Sequence, residues 1–156
     1  MTPNVDERLA SVVRSLTEVV LPHLPPDASL AQEQVHLAIG HIQIIRAQFD
    51  QVPDFEREEL DDYRDLATAL RKSVSGGEKT SGALQAIDVA LANAGGLGVR
   101  DQRVAVNKAV EKLVDALPLD GAEGAQGKAA QMIVDHAEHR TLKDREWFVP
   151  FGFDTL

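Results

Sequence analysis

Residues 29–51, SLAQEQVHLAIGHIQIIRAQFDQ, place the tightest limit on what this chain can fold into. Val35, Leu37, Ala38, Ile39, Ile42, Ile44, Ile45 and Phe49 are too many apolar residues for one narrow helical stripe. A surface helix keeps its apolar residues on one face, so a helix apolar on most sides is predicted to run through the interior. The polar and small residues left over also fall in a line. Glu33, His36, Gly40, Gln43 and Ala47 sit at i, i+3, i+7, i+10 and i+14, a single helical stripe. His36 is therefore expected to face inward, with Glu33 one turn away.

The flanking segments repeat the helical period. Asn4-Val-Asp-Glu7 reads as a capping box, in which the Asn side chain accepts from a free N–H of the first turn. Val5, Leu9, Val12, Val13, Leu16, Val19 and Val20 then recur at three and four residues, up to a stop at Pro22. Ser29 and Gln32 suit the cap of the second helix. Pro53 suits the first turn of a third, whose apolar stripe is Leu60, Tyr63, Ala67, Leu70 and Val74 and which Ser75-Gly76-Gly77 ends. Residues 79–94, 100–117 and 128–142 read as three more helices, with Leu84, Ile87, Leu91 and Ala94 facing in from the first. Val106, Val110, Leu113 and Leu117 face in from the second, and Ala129, Met132, Ile133 and His136 from the third. No segment alternates as a strand would. The predicted fold is all-α, a bundle of four main helices plus one or two more.

The chain has 156 residues, which is one domain or one domain with a tail. The predicted division is a helical bundle over 1–143 and an aromatic tail over 144–156. Trp147, Phe148, Phe151 and Phe153 are four of the seven aromatic residues, and Pro150 and Gly152 oppose a regular helix there. The tail is predicted to be non-helical from Asp144 and to dock on protein, a partner or sister subunit in preference to its own bundle.

Chemistry is constrained chiefly by exclusion. The chain has no cysteine, which removes disulfides, thiolate metal sites and cysteine nucleophiles. A net charge of −9 with no basic face argues against nucleic acid and against anionic membrane surfaces. No secretory signal or membrane-spanning stretch is visible, so a soluble cytoplasmic protein is expected. Glu33 and His36 have the Glu-x-x-His spacing of di-iron bundles, but no second such pair accompanies them. His36, Glu33, Gln43 and His41 are the candidate acid–base residues, and Glu33, His36, His136 and His139 the candidate metal ligands. Against this stands the reading of His36 as a hydrogen-bonded structural residue and of His136 and His139 as helix-end histidines suited to the dipole. Ser75-Gly-Gly-Glu-Lys79-Thr80 has a trace of a phosphate loop but lacks its glycine spacing and preceding strand, and Gly95-Gly-Leu-Gly98 lacks a strand too. The acidic run from Asp54 to Asp65 reads as a solvated helix start. No cofactor is assignable.

From Arg8 to about Glu78 the chain resembles a family of small helical bacterial proteins. The resemblance rests on Leu9-Ala-Ser-Val-Val-Arg14, Val19-Val-Leu-Pro22, the helix Val35–Phe49, and Leu66–Gly77. Members are typically encoded beside an aminoglycoside-phosphotransferase-like kinase and an acyl-CoA dehydrogenase. The resemblance implies an accessory subunit of a kinase acting on hydroxyacyl-CoA substrates, as in levulinate catabolism, and carries no catalytic residues. The expected function is thus a non-catalytic helical subunit that docks on a protein partner or on a second copy of itself. The alternative is a small helical enzyme with a histidine or carboxylate site, metal-assisted or not, around His36.

Overall fold

The structure, a computed structural model, describes residues 2–92 and 96–152, and of Phe151 the backbone alone. Phe153 and Ala94 lie outside the described residues. Among the described residues the fold is all-helical. Helices α1 (Val5–Ser15), α2 (Ser29–Gln48), α3 (Val52–Ser73), α4 (Glu78–Ala92), α5 (Val99–Asp120) and α6 (Ala125–Glu146) follow one another. No described helix is long and apolar enough to cross a membrane. The chain divides into two compact units, Met1–Val52 and Pro53–Leu156, and α6 runs unbroken through residues 143 and 144.

The N-terminal unit is a hairpin of α1 and α2. The capping box forms as its residues predict: the Glu7 N–H donates to Asn4 Oδ1 and the Asn4 N–H donates to Glu7 Oε2, both at 2.8 Å. After Ser15 the helix widens to a π-turn over Leu16–Val20 and tightens to a 3₁₀ turn over Leu21–His23. Here the structure corrects two expectations. Ala28, not Ser29, occupies the cap of α2, and Gln32 instead donates to the Pro25 carbonyl at 2.9 Å. More importantly, α2 is not buried on most sides: Ile44 is its one buried residue, while Leu37, Ile45 and Phe49 are 42%, 49% and 48% exposed. The physical reason is geometric. Val35, Ala38, Ile39 and Ile42 fill a half-buried row, and one neighbouring helix cannot cover the remaining faces.

The C-terminal unit has a conventional core. Leu66, Ala67 and Leu70 of α3, then Val74, meet Ala83, Leu84 and Ile87 of α4. Val106, Ala109, Val110, Leu113, Ala116 and Leu117 of α5 and Ala125 and Ala129 of α6 complete the cluster. Leu70, Ile87 and Leu113 are 0% exposed, and each belongs to a stripe that the apolar spacing predicts. Burying one such side chain contributes about 1.5–3 kcal/mol. The turn before α4 is clasped to the end of α5: the Gly77 N–H donates to the Asp120 carbonyl at 2.8 Å and the Ala122 N–H to the Ser75 carbonyl at 2.9 Å. A Cβ on Gly76 would lie 2.6 Å from Thr80 Cβ and 2.7 Å from the Asp120 carbonyl oxygen, so this approach requires glycine.

Candidate functional site

The densest polar cluster lies on the acidic run of α3, and it is not merely a solvated helix start. Phe55, Glu58 and Asp62 recur at three and four residues and meet α6; Glu56 and Glu59 meet α5. Each row finds a basic pair three residues apart. Arg100 donates to Glu56 at 2.7 Å and Arg103 pairs with Glu59. Arg140 Nη1 donates to Asp62 Oδ2 at 2.8 Å, while Lys143 Nζ reaches Asp62 at 3.1 Å and Glu58 at 2.6 Å. Arg140 is 6% exposed, with a second carboxylate, Asp144, at 2.8 Å and the Phe55 ring centroid 5.1 Å from its guanidinium carbon. Burial by itself would raise the Asp62 carboxyl. The hydrogen bonds and charges of Arg140 and Lys143 overcome that and hold it below the usual carboxylate value.

Beside this cluster, Asp62, Asp65, Leu66, Ala69 and residues of α6 line an open cleft of about 420 Å³. His136 sits in it with Nε2 buried and without a hydrogen-bond partner, its ring centroid 4.7 Å from that of Tyr63 at a tilt of 57°. Desolvation lowers the His136 pKa; Asp62 opposes it, and Arg140 and His139 add to it. The site therefore favours the neutral imidazole of His136. His139 Nε2 lies 3.8 Å from Asp62. Because both Asp62 oxygens already receive cationic donors, this carboxylate serves as an ionic cross-link between α3 and α6 and is poorly placed to act as a base.

The other predicted residues are placed differently. Glu33, His36, His41 and Gln43 are all exposed on α2, so His36 faces outward rather than into a core. Glu33 and His36 belong to the N-terminal unit, whereas His136 and His139 belong to the C-terminal one. Among the described residues, no group of three or more His, Asp or Glu side chains has the arrangement to hold a metal ion.

The phosphate-loop-like turn has a definite occupant. Asp120 Oδ2 accepts from the Lys79 N–H at 2.7 Å, and Oδ1 accepts from the Thr80 N–H at 2.9 Å and the Thr80 hydroxyl at 2.6 Å. An internal carboxylate thus fills the position at the α4 N-terminus where an anion would be favoured. The Thr80 hydroxyl, then desolvation in opposition and the two backbone donors, leave the Asp120 carboxyl below its ordinary value.

In the tail, Asp144-Arg-Glu146 is helical, contrary to the expectation, since α6 extends to Glu146 and residues Val149–Phe151 form a 3₁₀ turn. Trp147 packs edge-on against Phe55 with ring centroids 4.4 Å apart and is half-buried. Phe148 remains 45% exposed. Asp62, Arg140 and Lys143 were not among the predicted site residues. The signal that would have found them is the pairing of an acidic i, i+4 row with the basic i, i+3 pair Arg140 and Lys143.

Comparison of the chain with protein-family models, with curated proteins and with solved structures finds no match.

Proposed function

We propose that this protein is a non-catalytic helical interaction subunit, with the N-terminal hairpin as its docking element and the C-terminal helices, a bundle around one core, as its scaffold. One observation carries the reading. The hairpin leaves Val5, Val12, Val19, Leu30, Leu37 and Ile45 between 42% and 69% exposed, on both of its helices. Apolar residues grouped in this way mark interaction surfaces more often than they occur idly. The resemblance over residues 8–78 supplies the partner class: an aminoglycoside-phosphotransferase-like kinase or an acyl-CoA dehydrogenase handling hydroxyacyl-CoA substrates. Leu30 and Leu37, one heptad apart, are the row we assign to that enzyme partner. Affinity purification of the tagged chain together with enzymes of these two classes tests the assignment. Retention of one of them by the wild type, and its loss with Leu37→Asp but not with Val89→Asp on α4, is the expected result. Failure of the wild type to retain either enzyme would refute the enzyme-partner assignment.

A further inference from the structure

On α1, Val5, Leu9 and Val12 follow at four and three residues, the spacing of a coiled-coil seam, and Leu16 and Val19 continue the sequence spacing into the π-turn that extends the helix. The hairpin itself uses only part of that seam. Leu9, Val13 and Leu16 are half-buried, whereas Val5, Val12 and Val19, each seven residues from the next, are 46%, 46% and 57% exposed. On α2, Ala31 and Ile45 are exposed two heptads apart, with half-buried Ala38 between them, and Phe49 follows one turn on. The two rows come together where Val5 and Phe49 line one crevice. Asp6 meets Arg46 at 2.7 Å, pairing the start of α1 with the end of α2 as an antiparallel hairpin does. That crevice, of about 300 Å³, is lined also by Leu9, Asp50 and the Asp6–Arg46 pair.

From these rows we infer that this side of the hairpin is a self-association face, occupied by a second copy of the chain about a two-fold axis near Val12, the middle of the valine row. The inference rests on the reading of the hairpin as an interaction module and names the occupant of one of its faces. Two arguments select a second copy. The first is charge. A chain of net charge −9 repels its own copies wherever carboxylates face each other. Of the hairpin's acidic residues, Asp6, Glu7, Glu18, Asp27, Glu33 and Asp50, none falls in either row, and of the two that line the crevice at its end Asp6 is paired with Arg46. The second argument is area. Val5, Val12, Val19, Ile45 and Phe49, each about half exposed, leave on the order of 400 Å² of apolar surface in water. A standard interface takes about 800 Å² from each partner, roughly 60% of it apolar, so the face is close to what a stable dimer needs. Isologous pairing of two hairpins then produces a four-helix arrangement, in which the valines complete the seam that α1 begins.

Sedimentation equilibrium or light scattering on the full chain, with Val12→Asp and a Val89→Asp control, tests this. The expected wild-type mass is twice 17.0 kDa, halved by Val12→Asp with unchanged helical circular dichroism, and unaffected by Val89→Asp. A wild type of 17.0 kDa, or a dimer that Val12→Asp leaves intact, would overturn the inference. If Val12→Asp loses its helical signal, the absence of cysteine from the chain provides a second test. Val12→Cys should form a disulfide-linked dimer on oxidation well beyond the level of Val89→Cys, and equal yields would overturn the inference. A monomeric wild type that still loses an enzyme partner on Leu37→Asp would refute the dimer alone. A dimer that retains no enzyme partner would refute only the enzyme assignment.

Discussion

Asp62→Ala is the perturbation that the C-terminal unit should tolerate least among its surface-proximal carboxylates. The Asp62 side chain is 17% exposed and accepts from Arg140 and Lys143. Truncating one partner of a buried ion pair costs about 3–5 kcal/mol, because the other charge is left without compensation. Here the discount is limited: Arg140, with 7% of its side chain exposed, keeps only Asp144, which is itself 54% exposed, while Lys143 keeps Glu58. The expected loss is therefore about 2–3 kcal/mol, below the full range of an orphaned charge. Asp54→Ala is the internal control. Its pair with Arg57 is 78% and 58% exposed, and such a pair contributes about 0–1 kcal/mol. Urea melts of both variants measure the difference, and a cycle with Arg140→Met isolates the coupling. If the two aspartate variants lie within about 0.5 kcal/mol of each other, the Asp62–Arg140 pair is a surface pair and its role as a cross-link is refuted.

Three further outcomes follow from the same geometry. His136 has a lowered pKa in the fold, so its neutral form is favoured by folding; this contribution is complete above the unfolded value of about 6.5 and is lost as pH falls through the folded one. Proton NMR should place the His136 titration below that of a free imidazole, and His136→Gln should flatten the stability profile between pH 7 and the acid limb; a midpoint at or above the free value would contradict the desolvated site. Gly76→Ala should destabilise by about 1–3 kcal/mol in thermal melts, because the new methyl meets the Asp120 carbonyl at 2.7 Å, and a neutral result would mean that the α4–α5 clasp yields freely. Trp147→Ala should lose about 0.5–1.5 kcal/mol of edge-on pairing in addition to its buried area, and a double-mutant cycle with Phe55→Ala should show coupling; additive effects would show that the two rings pack independently.

The apolar periodicity of the C-terminal unit was legible because each helix there has one apolar stripe and one core to meet. Val106, Val110, Leu113 and Leu117 are all buried, as are Leu60, Ala67, Leu70 and Val74. The ion-pair cluster was not legible as a site. Asp62 and Arg140 are separated by 78 residues, and Glu58 and Lys143 by 85, so nothing local joins them. The same applies to Asp120, which caps α4 from 40 residues downstream of Thr80. Local readings of these residues therefore stop at dipole and solvation arguments. In the tail, the half-buried Trp147 packs against Phe55, which stands far upstream near the start of α3, so no local pattern pointed to that partner.

The reading of α2 failed for a reason that bears on function. A count of apolar positions around a helix reports how many faces require cover, and on α2 there are more than one: the row through Val35, Ala38 and Ile42, and a second through Leu30 and Leu37. Inferring an interior helix from that count assumes that all the cover comes from the same chain. In the hairpin, α1 covers the first row, and Leu30 and Leu37 stay 69% and 42% exposed. Apolar surface on a short two-helix element is costly to leave in water, since so small a unit buries too little of its own surface to be stable alone. Periodicity in excess of what neighbouring helices can cover thus marks apolar surface that the described chain leaves in water. The C-terminal helices differ in having a core cluster to which each contributes buried apolar residues, although Val89, Leu119 and Val134 stay exposed there too.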